Sequence, residues 1–247
     1  MDFSNARTLD GLLEGIRFHA IYQSRRLRRA RTVRVDGVRV PLDLPIMTPK
    51  IRTNVIKGFY EKHERLILGE TISPDDVVLD VGGGIGYIAA FCAKRCDTVE
   101  TVEANPALVP VIERVLSMND VQARVHHGVL SDGAGIADFE VDEDFWASST
   151  RAAQEPHRER VHVTRIDAPE LERRLRPTYL VMDIEGGEID LLPMLDLSTV
   201  NKVCVETHAN IVGQKAVDEA VQQVVDRGFT LDSRLSRPNQ LFLARRG

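Results

Sequence analysis

The stretch VVLDVGGGIGYIAAF, residues 77–91, places a short apolar run directly before a glycine-rich loop. Residues 77–81 have the length and the branched side chains of a buried strand, and the apolar residues after Gly86 predict a helix. A second strand, TVETVE at residues 98–103, follows this helix. Strand, loop, helix and strand in this order predict a βαβ unit whose loop binds a ligand through its main chain.

The spacing of the glycines indicates a cofactor other than a dinucleotide. A dinucleotide fingerprint requires glycine at positions 82, 84 and 87, but residue 87 is Tyr and the third regularly placed glycine is Gly86. A carboxylate at Asp80 would repel a pyrophosphate, whereas it can hold the methionine ammonium of S-adenosylmethionine. We therefore predict that Asp80, Gly82, Gly84 and Gly86 bind S-adenosylmethionine.

Glu103 ends the second strand, 23 residues after Asp80. An acid at this place typically accepts hydrogen bonds from both ribose hydroxyls of a nucleoside cofactor. Asn105 and Pro106 follow it and begin the next helix, beside the expected position of the adenine. Glu103 and Asn105 are therefore predicted to bind the cofactor. The alternative is that the glycines form only a tight turn and that Glu103 is a solvated strand end.

Strands and helices alternate from residue 77 onward, which predicts an α/β, Rossmann-like fold with a mostly parallel seven-stranded sheet and helices on both faces. Ligands of such sheets bind beyond the carboxyl ends of the strands. Residues 131–163 interrupt the alternation, and 139–160 is a candidate lid over a second substrate. The further strands are predicted at 123–129, 178–184, 202–207, 229–235 and 240–245.

An N-terminal helical and hairpin extension is predicted over residues 1–70, ahead of a ligand-binding domain over 71–247. Residues 1–31 have apolar residues near helical spacing, and TVRVDGVRV, starting at Thr32, alternates around Asp36-Gly37 as a hairpin does. A single helix is predicted from about 50 to 70.

Composition indicates an ordinary globular protein. The 247 residues are 43% hydrophobic and 28% charged, which argues against extended disorder. The net charge of −5 provides no global attraction to nucleic acid or to an anionic membrane. Three cysteines without zinc-type spacing are expected to be buried, reduced thiols. The N-terminus does not look like a leader, and no apolar run is long enough to span a membrane. Together with the reduced thiols, these features predict a cytoplasmic protein.

Several separated pieces of the chain resemble the FkbM family of class I methyltransferases, over roughly residues 55–210. The resemblance implies methylation of hydroxyl groups on natural products and saccharides, with Tyr60, Glu61, Ser131, Asp132 and Asp183 contributing to the cofactor site. Met182 stands where the family usually has lysine. The matching pieces are Gly58-Phe59-Tyr60-Glu61, VVLDVGGGIGY, Leu130-Ser131-Asp132, Ser148-Ser149, VTRIDAPEL, Asp183-Ile184-Glu185-Gly186-Gly187-Glu188 and Glu206-Thr207-His208.

Two pairs of ionisable residues follow neighbouring predicted strands. Asp183 and Glu185 are two residues apart, as are Glu206 and His208, so each pair points to one side if its strand persists. Because an alcohol is a poor nucleophile while protonated, these four are candidate catalytic residues, acting as a general base or holding a metal such as Mg²⁺. Glu188 is equally explained by the dipole of the helix that it begins.

Two other functions stay open. Arg25, Arg26, Arg28, Arg29, Arg31 and Arg34 form a basic run that is able to contact the phosphates of a nucleic-acid acceptor, or an acidic small molecule, or to seal a homo-oligomer. The third reading is a non-catalytic partner subunit with the same fold. The three acids Asp183, Glu185 and Glu206 and the imidazole of His208 count against it, because a scaffold has no need of them.

Overall fold

A computed structural model describes residues 31–44, 46–141 and 159–245. The chain divides into two compact units, Met1–Lys62 and His63–Gly247. This division and the predicted boundary after residue 70 both fall within one helix, Lys62–Thr71. The predicted helix over residues 1–31 and most of the arginine run lie outside the described residues.

The first unit contains the predicted hairpin. Strands β1 (Thr32–Val35) and β2 (Val38–Pro41) pair in antiparallel fashion, joined by Asp36 and Gly37 with φ angles of 43° and 86°. Positive φ at both positions is what a two-residue turn of this type requires, so the hairpin prediction is confirmed.

The predicted single helix over 50–70 is wrong. Helix α1 (Pro49–Lys57) ends at Gly58, whose left-handed φ of 69° lets its N–H bond back to the last turn, and α2 (Lys62–Thr71) begins after a short turn. Apolar periodicity continues across this break, which is why the pattern alone does not reveal it.

The second unit alternates strands and helices, and none of its described helices, nor those of the first unit, is long and apolar enough to cross a membrane. Its elements are β3 (Val77–Val81), α3 (Tyr87–Ala93), β4 (Thr98–Glu103), α4 (Val109–Met118), β5 (Arg124–His127), β6 (Val129–Ser131), β7 (Gly135–Val141), β8 (Glu159–Asp167), α5 (Ala168–Leu175), β9 (Tyr179–Met182), α6 (Glu188–Met194), β10 (Lys202–Glu206), α7 (Ala209–Val212), α8 (Gln214–Asp226), β11 (Phe229–Leu231) and β12 (Gln240–Arg245).

Seven of these strands form one sheet in the order β11-β12-β10-β9-β3-β4-β5. The pairings from β10 to β5 are parallel, whereas β12 is antiparallel to both of its neighbours. The chain moves outward from β3 through β4 to β5, then returns to the other side of β3 with β9. The predicted α/β class is confirmed, and the switch in direction lies between β3 and β9, where such folds bind ligands.

A second, three-stranded sheet with the order β6-β8-β7 explains why the alternation of strands and helices is interrupted after residue 128. The strand predicted at 123–129 is therefore two strands, β5 and β6, separated at Gly128. Most of the candidate lid, residues 142–158, lies outside the described residues.

The main core lies against the middle of the large sheet. Leu79, Leu180 and Val203 of β3, β9 and β10 pack with Leu192 of α6 and Val224 of α8, all at most 1% exposed. The three cysteines are buried and free, as predicted.

A buried ion pair ties the amino-terminal edge of the sheet. Asp76 accepts hydrogen bonds from Lys202 Nζ at 2.6 Å, Ser73 N at 2.7 Å and Thr178 Oγ1 at 2.9 Å. Burial alone would raise the pKa of Asp76, but the donors of Lys202, Ser73 and Thr178 outweigh it and hold the pKa below its ordinary value. The group thus links the residues ahead of β3 and β9 with the start of β10.

We expect Asp76→Asn to lower the free energy of unfolding by about 3 kcal/mol, because it leaves Lys202 partly buried without its counter-ion. Thermal unfolding should show a loss of about 6–12 °C at neutral pH. Since the folded pKa of Asp76 is depressed, its contribution is complete above the unfolded pKa and is lost as the pH falls through the folded pKa. Asp75→Asn, at an exposed neighbour, is the matched control. Equal loss in both variants would contradict the assignment.

Candidate functional site

The glycine loop after β3 lies directly against the chain after β9. Gly82 has a φ of +97°, and a Cβ atom built on it would lie 1.8 Å from the carbonyl oxygen of Asp183. The amide of Asp183 in turn donates to the carbonyl of Val81 at 2.9 Å. Only glycine fits at position 82, and the predicted cofactor loop therefore meets the first of the predicted catalytic acids.

Glu103 supports the same loop from β4. Its Oε2 accepts from Gly84 N and its Oε1 from Asn105 N, both at 2.7 Å, and the residue is 6% exposed. The alternative of a solvated strand end is therefore wrong. Burial raises the pKa of Glu103 to about 7, although the backbone donors of Asn105, Gly84 and Ala104 oppose this.

The other predicted residues on this side of the sheet are also buried. Asp80 is 2% exposed and accepts from Thr101 Oγ1 at 2.8 Å. Asn105 is 3% exposed, and its Oδ1 accepts from Ala107 N at 3.0 Å, which shapes the turn that leads to α4. Gly86 begins α3. These residues are brought to one end of the sheet, while their cofactor contacts remain predictions.

Asp183, Glu185 and His208 converge at the carboxyl ends of β9 and β10. His208 Nε2 lies 3.3 Å from Glu185 Oε2 and 3.6 Å from Asp183 Oδ1. Glu185 adopts a left-handed φ of 52° and Gly186 a φ of 97°. The strand ends at Met182, so a backbone turn, and not strand alternation, brings Glu185 to the imidazole.

Glu188 holds the imidazole from the opposite side, a role that sequence reasoning did not assign. It is 1% exposed; its Oε1 accepts from His208 N at 2.9 Å and lies 2.7 Å from Nδ1, while its Oε2 accepts from Gly186 N at 2.7 Å. Burial lowers the pKa of His208, but the hydrogen bond to Glu188 and the carboxylates of Glu185, Glu188 and Glu206 outweigh it, and the pKa is raised.

A second carboxylate group adjoins Asp183. Oxygen atoms of Glu64, Asp183 and Glu206 lie within 4.8 Å of one another, and Glu64 is 2% exposed in α2. Sequence reasoning missed Glu64. The signal was a carboxylate on a helix that follows the aromatic-Glu segment, but a helical Glu is by default a solvated residue.

The remaining predicted residues lie in other places. Arg165 of β8 donates to Ser131 Oγ at 3.1 Å and to Asp132 Oδ1 at 2.5 Å, in the three-stranded sheet. Tyr60 and Glu61 belong to the first unit, in the turn between α1 and α2. Cofactor binding by these four stays a prediction.

A model of the methyltransferase FkbM domain matches residues 80–231, more than half of the chain. The chain belongs to the FkbM methyltransferase family. The match begins at Asp80 and includes the glycine loop and Glu103. It also includes the acid/histidine cluster, formed by Asp183, Glu185, Glu206 and His208.

Curated relatives match a shorter region. The probable ribosomal RNA small subunit methyltransferase A of Methanosarcina acetivorans is 33% identical over 67 residues, and that of Methanosarcina mazei is 34% identical over 67 residues. Each match covers 24% of this chain and 25% of the relative, so the chain aligns with about a quarter of their length.

Solved structures with similar coordinates are distant in sequence. Trm5b from Pyrococcus abyssi has a TM-score of 0.45 and 14% identity, over 86% of this chain and 53% of its own. M. jannaschii TYW2 in complex with AdoMet has a TM-score of 0.46 and 13% identity, over 86% of this chain and 82% of its own. The fold assignment rests on the strand order itself.

The raised pKa of Glu103 makes stability pH-dependent. The carboxyl ionises near 4.5 when unfolded and at about 7 when folded, so the unfolded state binds fewer protons between these values and stability falls as the pH rises. The loss is on the order of 3 kcal/mol. We expect thermal unfolding between pH 4.5 and 8 to show this slope in the wild type and not in Glu103→Gln.

Glu113→Gln, which removes an exposed carboxylate from α4, should retain the wild-type slope. If the thermal stability of the wild type and of Glu103→Gln changes with pH in the same way, Glu103 does not titrate near neutrality.

Proposed function

We propose that this chain is an S-adenosylmethionine-dependent O-methyltransferase that acts on a hydroxyl of a saccharide or polyketide-type small molecule. The observation that carries the proposal is the contact between Gly82 and the Asp183 carbonyl, because it brings the glycine loop after β3 next to the chain that carries Asp183 and Glu185. Membership of the FkbM family supports it. Free, buried cysteines support a cytoplasmic location.

In this proposal the cofactor lies across the ends of β3 and β4. The Glu103 carboxylate already accepts from the backbone of Gly84, Asn105 and Ala104, and its remaining acceptor capacity serves the ribose, since a carboxylate accepts about four hydrogen bonds. Asp80 acts on the methionine ammonium, the loop glycines approach the ligand with main chain only, and Asn105 borders the adenine. Asp183 then faces the end of the cofactor that carries the methyl group.

The reaction is an in-line displacement. The hydroxyl loses its proton, its oxygen attacks the methyl carbon, and the carbon–sulfur bond breaks so that S-adenosylhomocysteine leaves with the electron pair. Because the sulfonium is already activated, the protein supplies alignment and control of the proton. Two routes fit the residues. One of Asp183, Glu185, Glu206 and His208 would accept the proton, or these residues would hold a divalent ion, which would lower the pKa of the hydroxyl.

Glu103→Ala should weaken S-adenosylmethionine binding at least 10-fold, because charge-assisted hydrogen bonds to the ribose contribute about 1.5–3 kcal/mol each. Isothermal titration calorimetry of the folded variant measures this, with Glu113→Ala as the control that should bind as the wild type does. Unchanged affinity in Glu103→Ala would mean that the cofactor is placed wrongly.

His208→Gln and Asp183→Asn should lower methyl transfer by a factor of about 10²–10⁴, the usual contribution of a proton-transfer group. The assay is uptake of labelled methyl from S-adenosylmethionine into panels of saccharides and hydroxylated polyketides. His208→Gln should bind the cofactor within about 3-fold of the wild type, which separates chemistry from binding. Full turnover in both variants would remove the cluster from the mechanism.

A nucleic-acid acceptor is the second candidate, favoured by the ribosomal RNA methyltransferases among the relatives and by the arginine run. Ribosomal RNA in the same uptake assay distinguishes the two. Binding that weakens steeply between 50 and 200 mM salt would support RNA, and no binding at low salt would exclude it. Cofactor binding without methyl transfer to saccharides, hydroxylated polyketides or ribosomal RNA would favour a non-catalytic partner subunit.

A further inference from the structure

His208 presents one ring nitrogen, Nε2, to the carboxylates of Asp183 and Glu185. The residue is 8% exposed, so it is more than nine-tenths buried. Nε2 lies 3.3 Å from Glu185 Oε2 and 3.6 Å from Asp183 Oδ1, within ion-pair distance of both. Within the described residues, Nε2 therefore points between two acids, on a side chain that is 11% exposed.

The other ring nitrogen is already committed. Nδ1 lies 2.7 Å from Glu188 Oε1, and the second oxygen of Glu188 is held by the amide of Gly186. A buried carboxylate on one nitrogen of a histidine fixes the tautomer and the ring orientation, and it increases the basicity of the other nitrogen. This arrangement is the usual outer support of a metal-ligating histidine.

The separations of the three donor atoms also match a metal ion. Neighbouring ligands on an octahedral ion with bonds of about 2.1–2.2 Å are about 3 Å apart. One ligand atom from each of Asp183, Glu185 and His208 lies within 4.8 Å of the other two. The two distances from Nε2, 3.3 and 3.6 Å, are somewhat longer than that ligand spacing.

We propose that Asp183, Glu185 and His208 bind one divalent transition-metal ion, with Glu188 as the positioning residue of the histidine. The site deepens the proposed O-methyltransferase function and rests on it for its role. Imidazole nitrogen favours first-row transition ions, whereas Mg²⁺ prefers oxygen ligands alone. The donor set therefore selects Mn²⁺, Fe²⁺, Co²⁺ or Zn²⁺ over the Mg²⁺ suggested by the carboxylates in the sequence.

Three protein ligands leave up to three positions of an octahedral ion for water and the acceptor hydroxyl. A hydroxyl bound there has a lowered pKa and releases its proton to solvent or to Glu206, whose carboxylate adjoins Asp183. The hydroxyl oxygen would then attack the methyl carbon as the carbon–sulfur bond breaks, and the sulfur would keep the electron pair. The ion keeps its oxidation state, so the step needs no oxidant or reductant.

Titration of the full chain with Mn²⁺, after removal of metals by a chelator, tests the site without cofactor or acceptor. Loss of the electron paramagnetic resonance signal of free Mn²⁺ reports binding, and we expect one ion per chain. Equimolar Zn²⁺ should displace it, whereas equimolar Mg²⁺ should not. No binding of Mn²⁺ at millimolar concentration, or equal displacement by Mg²⁺ and Zn²⁺, would overturn the proposal.

Variants locate the ion. Glu185→Gln and Glu188→Gln should each weaken Mn²⁺ binding by about 10–100-fold, while Glu219→Gln, an exposed carboxylate of α8, should not. Pulsed resonance of bound Mn²⁺ should show coupling to an imidazole ¹⁴N in the wild type, a measurement that does not depend on whether a variant folds. Binding without this coupling, or equal weakening in Glu219→Gln, would contradict the assignment.

The outcomes separate the site from the function. Mn²⁺ bound with nitrogen coupling, but no methyl transfer to any hydroxyl, would leave the metal site in place and overturn the proposed function. Methyl transfer to hydroxyls at an unchanged rate in chelator, with no Mn²⁺ binding, would support the proposed function and overturn the metal site.

Discussion

The close approach of two chain segments at the switch in the sheet is the constraint on which the site depends. The loop after β3 touches the backbone after β9 so closely that a single methyl group at position 82 would collide with a carbonyl oxygen. The hydrogen bond from Asp183 N to the carbonyl of Val81 continues the pairing of the two strands up to this point. The two halves of the site are therefore fixed relative to each other by main chain, which no side-chain rearrangement loosens.

The parts of this architecture that sequence predicts are those encoded locally. The βαβ unit, the Asp36-Gly37 hairpin and the α/β class follow from apolar periodicity and turn chemistry. The break at Gly58 and the division of one predicted strand at Gly128 do not, because a glycine inside an apolar pattern is compatible with both continuation and interruption. The antiparallel β12 is likewise a matter of topology that its own residues do not specify.

The candidate site was predictable only in part, for a related reason. Asp183, Glu185, Glu206 and His208 stand out because they follow strands whose carboxyl ends meet. Glu64 and Glu188 lie on helices, where a glutamate is ordinarily solvated or favoured by the helix dipole, and only the packed structure shows them buried beside the cluster. Glu188 in particular contacts His208 across twenty residues of sequence, and that separation carries no local signal.

The position of β12 also constrains the order in which the molecule assembles. This last described strand is inserted between β10 and β11, and within the described residues β11 pairs with no other strand. A growing polypeptide therefore exposes the edge of β10 until residues 240–245 have left the ribosome, and β11 has nothing to bind before then. The carboxyl edge that carries His208 is completed late, when Thr207 N bonds to the carbonyl of Asn239. Such long-range closure is slow, and unpaired strand edges are prone to aggregate while it is pending.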